Sequence, residues 1–95
     1  MTIKYRTMDG NADYEFSFEQ HQAGDWRAYI VSQPSYGFRA TDADRTHRLT
    51  EPRSGRKYVC WATPIRTRED LKKVVALWSD RTQRYIKYGT PIERP

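Results

Sequence analysis

The chain has 95 residues, of which 37% are hydrophobic and 14% aromatic, a content that excludes an intrinsically disordered protein. With 31% charged residues and no apolar run approaching about 20 residues, no segment is typical of a membrane span, and the single cysteine excludes an internal disulfide. The formal net charge of +5 favours polyanionic partners.

The positive charge is concentrated in the later part of the chain. Residues 1–30 contain three basic and five acidic residues, a net −2, whereas residues 31–66 carry +4 and residues 67–95 carry +3. Twelve of the 17 cations are arginines, whose planar guanidinium binds phosphate through paired hydrogen bonds and stacks on aromatic rings. Without repeats, low-complexity tracts or linkers, we expect a single domain over residues 1–95. The amino terminus lacks the pattern of an export signal, so we expect a cytoplasmic protein.

The beginning of the chain predicts one strand and a less defined segment before it. Residues 1–11 fit either a short edge strand or a loose arm. From Ala12 to Gln20, aromatic residues alternate with polar ones, which is the period of a strand with one buried face. The alternating aromatic residues are Tyr14, Phe16 and Phe18.

A second strand over residues 26–32 is predicted after a loop that contains Gly24, because this stretch is rich in aromatic and β-branched residues. A five-residue loop sets Phe18 opposite Ala28, whereas a four-residue loop would set Phe18 against Arg27. Since a hydrophobic pair suits the buried face, the pattern favours the five-residue loop.

The middle of the chain predicts a second hairpin. Pro34 and Gly37 interrupt the strand pattern and indicate a turn or a bulge, after which residues 38–41 are expected to pair briefly. Residues 46–50 and residues 56–63 then flank a turn that contains proline and glycine at suitable positions.

The run from Tyr58 to Ala62 contains no charged residue and indicates a strand that is covered on both faces or lies centrally in the sheet. Within it, Cys60 is expected to be a small core residue. Arg48 lies opposite Val59 if the turn has four residues and opposite Tyr58 if the turn has five. Either register predicts a guanidinium beside an aromatic ring of this strand.

The last third of the chain predicts one long helix. Thr67 and Asp70 approximate a capping box, Leu71 opens the helix, and Gly89 is suited to end it after about Tyr88. The apolar side spans about 120° of arc, the width of a stripe that faces a core. The residues on this side are Leu71, Val74, Val75, Trp78, Thr82, Tyr85 and Ile86.

Together these elements predict an α+β fold, in which an antiparallel sheet of about four strands, made from two hairpins, carries one long C-terminal helix on one face. The other sheet face has no cover within the chain, so it is either exposed or buried by a second subunit. The far side of the helix is basic, with Asp80 and Arg84 spaced as an exposed ion pair, and fits either a solvated face or a polyanion contact.

The densest polar segment runs from Arg39 to Arg48. Guanidinium, hydroxyl and imidazole groups donate hydrogen bonds to phosphate oxygens, although the same residues also fit a hydrophilic connection whose Asp and Arg neutralise each other. With two cations of the second hairpin, the candidate phosphate-binding residues are Arg39, Arg45, Thr46, His47, Arg48, Arg56 and Lys57. The candidates for aromatic stacking on a base are Tyr29, Tyr36 and Tyr58.

The sequence does not indicate a metal or a cofactor. His21, His47 and Cys60 are not spaced as zinc ligands, and the cations that follow Asp42 and Asp44 oppose a calcium loop. We therefore expect no metal, no cofactor and no membrane partner.

The leading hypothesis is a non-enzymatic binding module that recognises a phosphate-bearing ligand, either nucleic acid or a nucleotide, through arginine and aromatic residues. The first alternative is a protein-interaction or inhibitor domain that forms a homodimer through its open sheet face, because tyrosine, tryptophan and arginine are also enriched at protein interfaces. The second alternative is a small phosphodiester-cleaving ribonuclease in which His47 accepts the proton, although no second acid or base is placed beside it.

Overall fold

The computed structural model describes residues 2–21, 23–61 and 63–92. Within these ranges, five strands form one antiparallel sheet in the order β1-β2-β3-β5-β4, with the long helix α2 on one face. The predicted α+β fold is confirmed, with five strands where about four were expected. The elements are β1 (Thr2–Arg6), β2 (Asp13–Gln20), β3 (Trp26–Ser32), α1 (Ala43–Thr46), β4 (Arg48–Thr50), β5 (Lys57–Val59) and α2 (Arg68–Tyr88).

The first hairpin has the register that the hydrophobic pattern predicts. Phe18 lies opposite Ala28, so the loop has five residues. Tyr14 and Phe16 are fully buried, and each ring meets the Trp78 indole of α2 edge to face, at centroid distances of 5.8 and 6.0 Å. The register is fixed because a slip of one residue would turn these aromatic rings to the open face.

The amino-terminal segment forms the edge strand β1 rather than a loose arm, although Met1 lies outside the described residues. It is tied to α2 by the Asp80 carboxylate, which accepts hydrogen bonds from the Tyr5 hydroxyl at 2.8 Å and from the Met8 backbone N–H at 2.9 Å. Burial and this hydrogen bond raise the pKa of Tyr5 to about 12. Asp80 thus binds β1 and the turn that follows it instead of the expected partner Arg84.

The second hairpin is shorter than predicted. Arg48 lies opposite Val59, and Glu51 donates to the Arg56 carbonyl, so the turn of this hairpin comprises the four residues 52–55. The second strand, however, ends at Val59. β5 lies inside the sheet, between β3 and β4, as one of the two expectations for this run had it. Cys60 and Trp61 belong to no strand and are only partly buried, so the strand is shorter than expected and is not covered on both faces; Ala62 lies outside the described residues. The chain leaves the β4–β5 hairpin here because residues 63–65 run beside the start of β3. There the Ile65 carbonyl accepts a hydrogen bond from the Trp26 N–H at 2.7 Å.

Residues 38–41 form no strand, contrary to expectation. The Tyr36 carbonyl accepts a hydrogen bond from the Arg39 N–H at 3.1 Å, and Gly37 has a φ of 62°, so the chain turns back at this point. The four-residue helix α1 follows and ends at His47, which has a left-handed φ of 53°.

Helix α2 has the predicted caps. The Thr67 hydroxyl accepts a hydrogen bond from the Asp70 N–H at 3.1 Å, and Gly89, with a φ of 75°, donates to the Tyr85 carbonyl at 2.9 Å. Most of the predicted apolar side is buried, and Ile86 is partly buried. In the part of the chain that the structure describes, no helix combines the length and the apolar character needed to cross a membrane.

Candidate functional site

The sheet face opposite α2 carries two tyrosines, each covered by an arginine. Tyr29 and Tyr58 lie opposite each other on β3 and β5, with ring centroids 5.6 Å apart. The guanidinium carbon of Arg27 lies 4.2 Å from the centre of the Tyr58 ring, and that of Arg56 lies 3.9 Å from the centre of the Tyr29 ring. We call these four residues the arginine-tyrosine face.

This arrangement follows from the sequence of the two strands. In the sequence, Arg27 precedes Tyr29 and Arg56 precedes Tyr58 by two residues, so each arginine lies on the same sheet face as the tyrosine that follows it. Because β3 and β5 are antiparallel, each arginine lies diagonally across from the tyrosine of the other strand. The result is a local twofold arrangement centred on the Tyr29 and Tyr58 pair.

The two arginines differ in their electrostatic environment. The Arg56 guanidinium donates to both oxygens of the Glu19 carboxylate, and this hydrogen bonding lowers the pKa of Glu19 from its usual range. Tyr29, beneath Arg56, is only 5% exposed. At this position the guanidinium, rather than the tyrosine ring, is therefore presented to solvent.

Arg27 lies opposite Glu19 on β2 but forms no ion pair among the residues that the structure describes. Its guanidinium makes a long hydrogen bond of 3.5 Å to the Tyr29 hydroxyl, which also lies 3.4 Å from Nε2 of His21. Because its charge is not compensated by an ion pair, Arg27 retains donors for an anionic or strongly accepting ligand.

A cleft of about 280 Å³ adjoins Arg27 at the end of the sheet. Its aromatic lining comes from Trp26, Tyr58 and Trp61, and its charged lining comes from Asp25 and Arg27. The volume is slightly below the range of about 300–1,000 Å³ for sites that hold drug-sized ligands, so it suits one small planar group.

The predicted phosphate-binding segment from Arg39 to Arg48 supports the fold through several side chains. Arg39 donates to the carbonyls of Ile86 and Lys87, at 3.3 Å each, at the carboxyl end of α2, where a cation is stabilising. Thr46 is fully buried, and its carbonyl accepts a hydrogen bond from the Trp78 indole N–H at 3.0 Å.

The two other polar residues near α1 also have partners within the chain. Arg45 forms an ion pair of 3.0 Å with Asp42, and the hydrogen bond lowers the pKa of Asp42. Nε2 of His47 lies 2.7 Å from the Ile92 carbonyl oxygen, so this nitrogen carries a proton and donates it. In the neutral imidazole Nδ1 is then the nitrogen that accepts a proton, as cleavage of a phosphodiester requires.

Arg48 and Lys57 lie away from the arginine-tyrosine face. The Arg48 guanidinium lies 4.8 Å from the centre of the Tyr36 ring and donates to Gln33 at 3.3 Å, so its aromatic partner is not in β5 as expected. Lys57 alternates with Tyr58 along β5, which places it on the opposite face, where it donates to the Thr50 hydroxyl.

The structure therefore divides the predicted residues into separate groups. Tyr29, Arg56 and Tyr58 come together on the arginine-tyrosine face, whereas Tyr36 and Arg48 form a separate pair. Arg27 was missed by the sequence reasoning. The signal that could have found it is the same Arg-x-Tyr spacing in the strands that contain Tyr29 and Tyr58.

Comparison with protein-family models, curated proteins and solved structures finds no match to this chain. Among the described residues, no group of three or more His, Cys, Asp and Glu side chains is placed to hold a metal ion.

Proposed function

We propose that this protein is a non-enzymatic module that binds single-stranded nucleic acid, or a nucleotide, through the arginine-tyrosine face. The observation that carries the proposal is the pair of guanidinium groups held over Tyr29 and Tyr58. Guanidinium planes stack on unpaired bases and donate hydrogen bonds to phosphates. Because the rings beneath hold both arginines in place, binding costs little additional side-chain entropy.

The distribution of charge on the open sheet face favours β3 and β5 as the place where the ligand binds. On β1 and β2, Lys4 lies opposite Glu15, and Arg6 forms an ion pair of 3.0 Å with Asp13. These opposite charges compensate each other in pairs, whereas on β3 Arg27 lies opposite Glu19, whose carboxylate is already bound by Arg56, so two arginines share one carboxylate. An anionic strand is therefore expected to bind over β3 and β5 rather than over β1 and β2.

The test is a titration of the intrinsic tryptophan fluorescence with single-stranded RNA, single-stranded DNA and mononucleotides at low and high salt. If about two phosphates are contacted, the logarithm of the affinity falls with the logarithm of salt concentration with a slope of about −1.4. Saturation by a mononucleotide at fixed stoichiometry, with little salt dependence, would instead identify a nucleotide, rather than nucleic acid, as the ligand. Absence of binding to all of these ligands would overturn the proposal.

Two matched variants show where the ligand binds. Arg27→Ala removes one stacking guanidinium and is expected to weaken oligonucleotide binding about tenfold or more. Arg6→Ala removes the same charge from the same sheet face but at β1, and is expected to weaken binding only a few-fold, by about one phosphate's electrostatic contribution. Equal losses in the two variants would contradict the assignment to β3 and β5.

The second candidate function is self-association through the same face. Leu49 lies opposite Tyr58 on the open face and is 39% exposed, which favours a protein contact. Sedimentation of the wild type and of Leu49→Asp tests this alternative. A dimer that Leu49→Asp dissociates supports it, and a strict monomer at high protein concentration eliminates it.

A further inference from the structure

We propose that the cleft beside Arg27 selects guanine, with Asp25 binding the donor edge of the base and Arg27 its acceptor edge. This inference rests on the proposed function and adds base identity to it. The cleft volume of about 280 Å³ suits one base rather than a larger group, and three aromatic residues supply an apolar lining. The residues are Trp26, Tyr58 and Trp61.

The charged residues of the cleft indicate a base rather than a phosphate. Asp25 lines the cleft, and its carboxylate takes part in none of the hydrogen bonds or ion pairs found between described residues. An ionised carboxylate only accepts hydrogen bonds and repels phosphate, so its complement is an N–H group. Arg27, on the same cleft, only donates hydrogen bonds.

Guanine matches this combination of groups. One of its edges presents two adjacent acceptors, O6 and N7, which a guanidinium binds in a bidentate manner. Another edge presents two adjacent donors, the N1–H and the 2-amino group, which a carboxylate binds in the same way. Adenine and cytosine place a donor beside an acceptor, and uracil and thymine lack an exocyclic amino group, so none of them satisfies Arg27 and Asp25 together.

At Arg27 the guanidinium binds the edge of the base, and the aromatic lining of the cleft supplies the stacking. At Arg56 the guanidinium plane itself stacks on the base, and this position is expected to accept any base. Donors of the Arg56 guanidinium are occupied by Glu19, so Arg56 offers mainly its plane to a ligand. Stacking on a plane is tolerant of sequence because every base has a π face. The arginine-tyrosine face therefore predicts guanine beside Arg27 and an unspecified neighbour at Arg56.

The experiment uses pentaribonucleotides that consist of uridines around one varied central base, with the tryptophan fluorescence of the full chain as the signal. Central guanine is expected to bind about tenfold more tightly than adenine, cytosine or uracil. Central hypoxanthine, which keeps O6 and N7 but lacks the 2-amino group, is expected to lose most of this advantage. A guanine deoxyribonucleotide series shows whether the sugar contributes.

Asp25→Asn isolates the carboxylate. This variant is expected to bring the ratio of guanine to hypoxanthine affinity to about one. Asp13→Asn, which removes the same charge on β2, away from the cleft, is the control and is expected to retain the wild-type ratio. Retention of the ratio in Asp25→Asn would overturn the role of Asp25.

The outcomes separate this inference from the proposed function. Equal binding of all the central bases would overturn guanine selection while leaving the proposed nucleic-acid function in place. Absence of binding to every oligonucleotide would overturn both. A preference for guanine in the wild type that disappears in Asp25→Asn but not in Asp13→Asn would support both.

Discussion

The segment from Arg39 to Arg48 and the arginine-tyrosine face both place a guanidinium over a tyrosine, but with opposite consequences. Arg48, the last residue of the segment, lies over Tyr36, a ring that precedes the segment and is buried in a cluster with Tyr85 and Ile92. On the β3 and β5 face, no described element covers the arginines. The difference arises because Arg48 lies opposite Val59 on the sheet face that carries α2, whereas strand alternation directs Arg27 and Arg56 to the open face.

The strongest test of this difference compares two double variants that remove the same charge. Arg27→Ala with Arg56→Ala removes both stacking guanidiniums and is expected to weaken single-stranded RNA binding about 100-fold, because each stacked base contributes about 1–3 kcal/mol. Arg45→Ala with Arg48→Ala is expected to weaken it only a few-fold through the lost charge. Fluorescence titration measures both affinities.

Circular dichroism of the two double variants is the control for folding. A greater loss of affinity from the Arg45 and Arg48 pair than from the Arg27 and Arg56 pair, in folded protein, would restore the segment as the binding site.

A structural role for the segment predicts that His47→Ala reduces stability without affecting binding. The substitution removes the hydrogen bond from His47 to the Ile92 carbonyl and is expected to lower the free energy of unfolding by about 1 kcal/mol. Urea denaturation measures this change. If the wild type cleaves RNA and His47→Ala loses that cleavage while remaining folded, the ribonuclease alternative is supported instead.

Beside the arginine-tyrosine face, Glu19→Gln is expected to increase RNA affinity about threefold. The substitution removes the carboxylate that pairs with Arg56, and exposed ion pairs of this kind contribute about 0.2–1 kcal/mol. Glu15→Gln makes the same change in charge at a position opposite Lys4 and is the matched control. An equal increase in both variants would mean that net charge alone, rather than the release of Arg56, controls binding.

The smallest expected effect concerns the turn between β1 and β2 and depends on pH. A hydrogen bond from the Thr7 hydroxyl, together with the Asn11 N–H and the Lys87 ammonium, lowers the pKa of Asp9 to about 2. Because the folded-state pKa lies below the unfolded value, ionised Asp9 stabilises the fold above about pH 4, and this contribution is lost as the pH falls towards 2. Asp9→Asn should therefore show a shallower loss of stability across this interval, measured by urea denaturation. If the free energy of unfolding falls equally with pH in the wild type and in Asp9→Asn, Asp9 is not the source of this pH dependence.

The first hairpin and α2 could be predicted because local signals specify them. Alternation around Tyr14 and Phe16 defines the register of β2, and Thr67 and Gly89 define the ends of the helix. The end of β5 could not be predicted, because it depends on residues 63–65 running beside β3, which is a contact between distant parts of the chain.

The candidate site was only partly predictable for a similar reason. Tyr29, Arg56 and Tyr58 were identified from their types, but the pairing of β3 with β5 brings them together and is not visible in either hairpin alone. The density of polar residues favoured the segment from Arg39 to Arg48 as the binding site, yet most of its polar side chains form hydrogen bonds within the chain. Strand alternation was the better guide, because it would also have included Arg27.

The most direct measurement is a nuclear magnetic resonance titration of the ¹⁵N-labelled chain with single-stranded RNA. We expect the amide shifts to concentrate on β3 and β5, around Arg27, Tyr29 and Tyr58, with side-chain shifts at Trp26 and Trp61. Shifts confined to residues 39–48, or to the basic outer side of α2, would contradict this expectation.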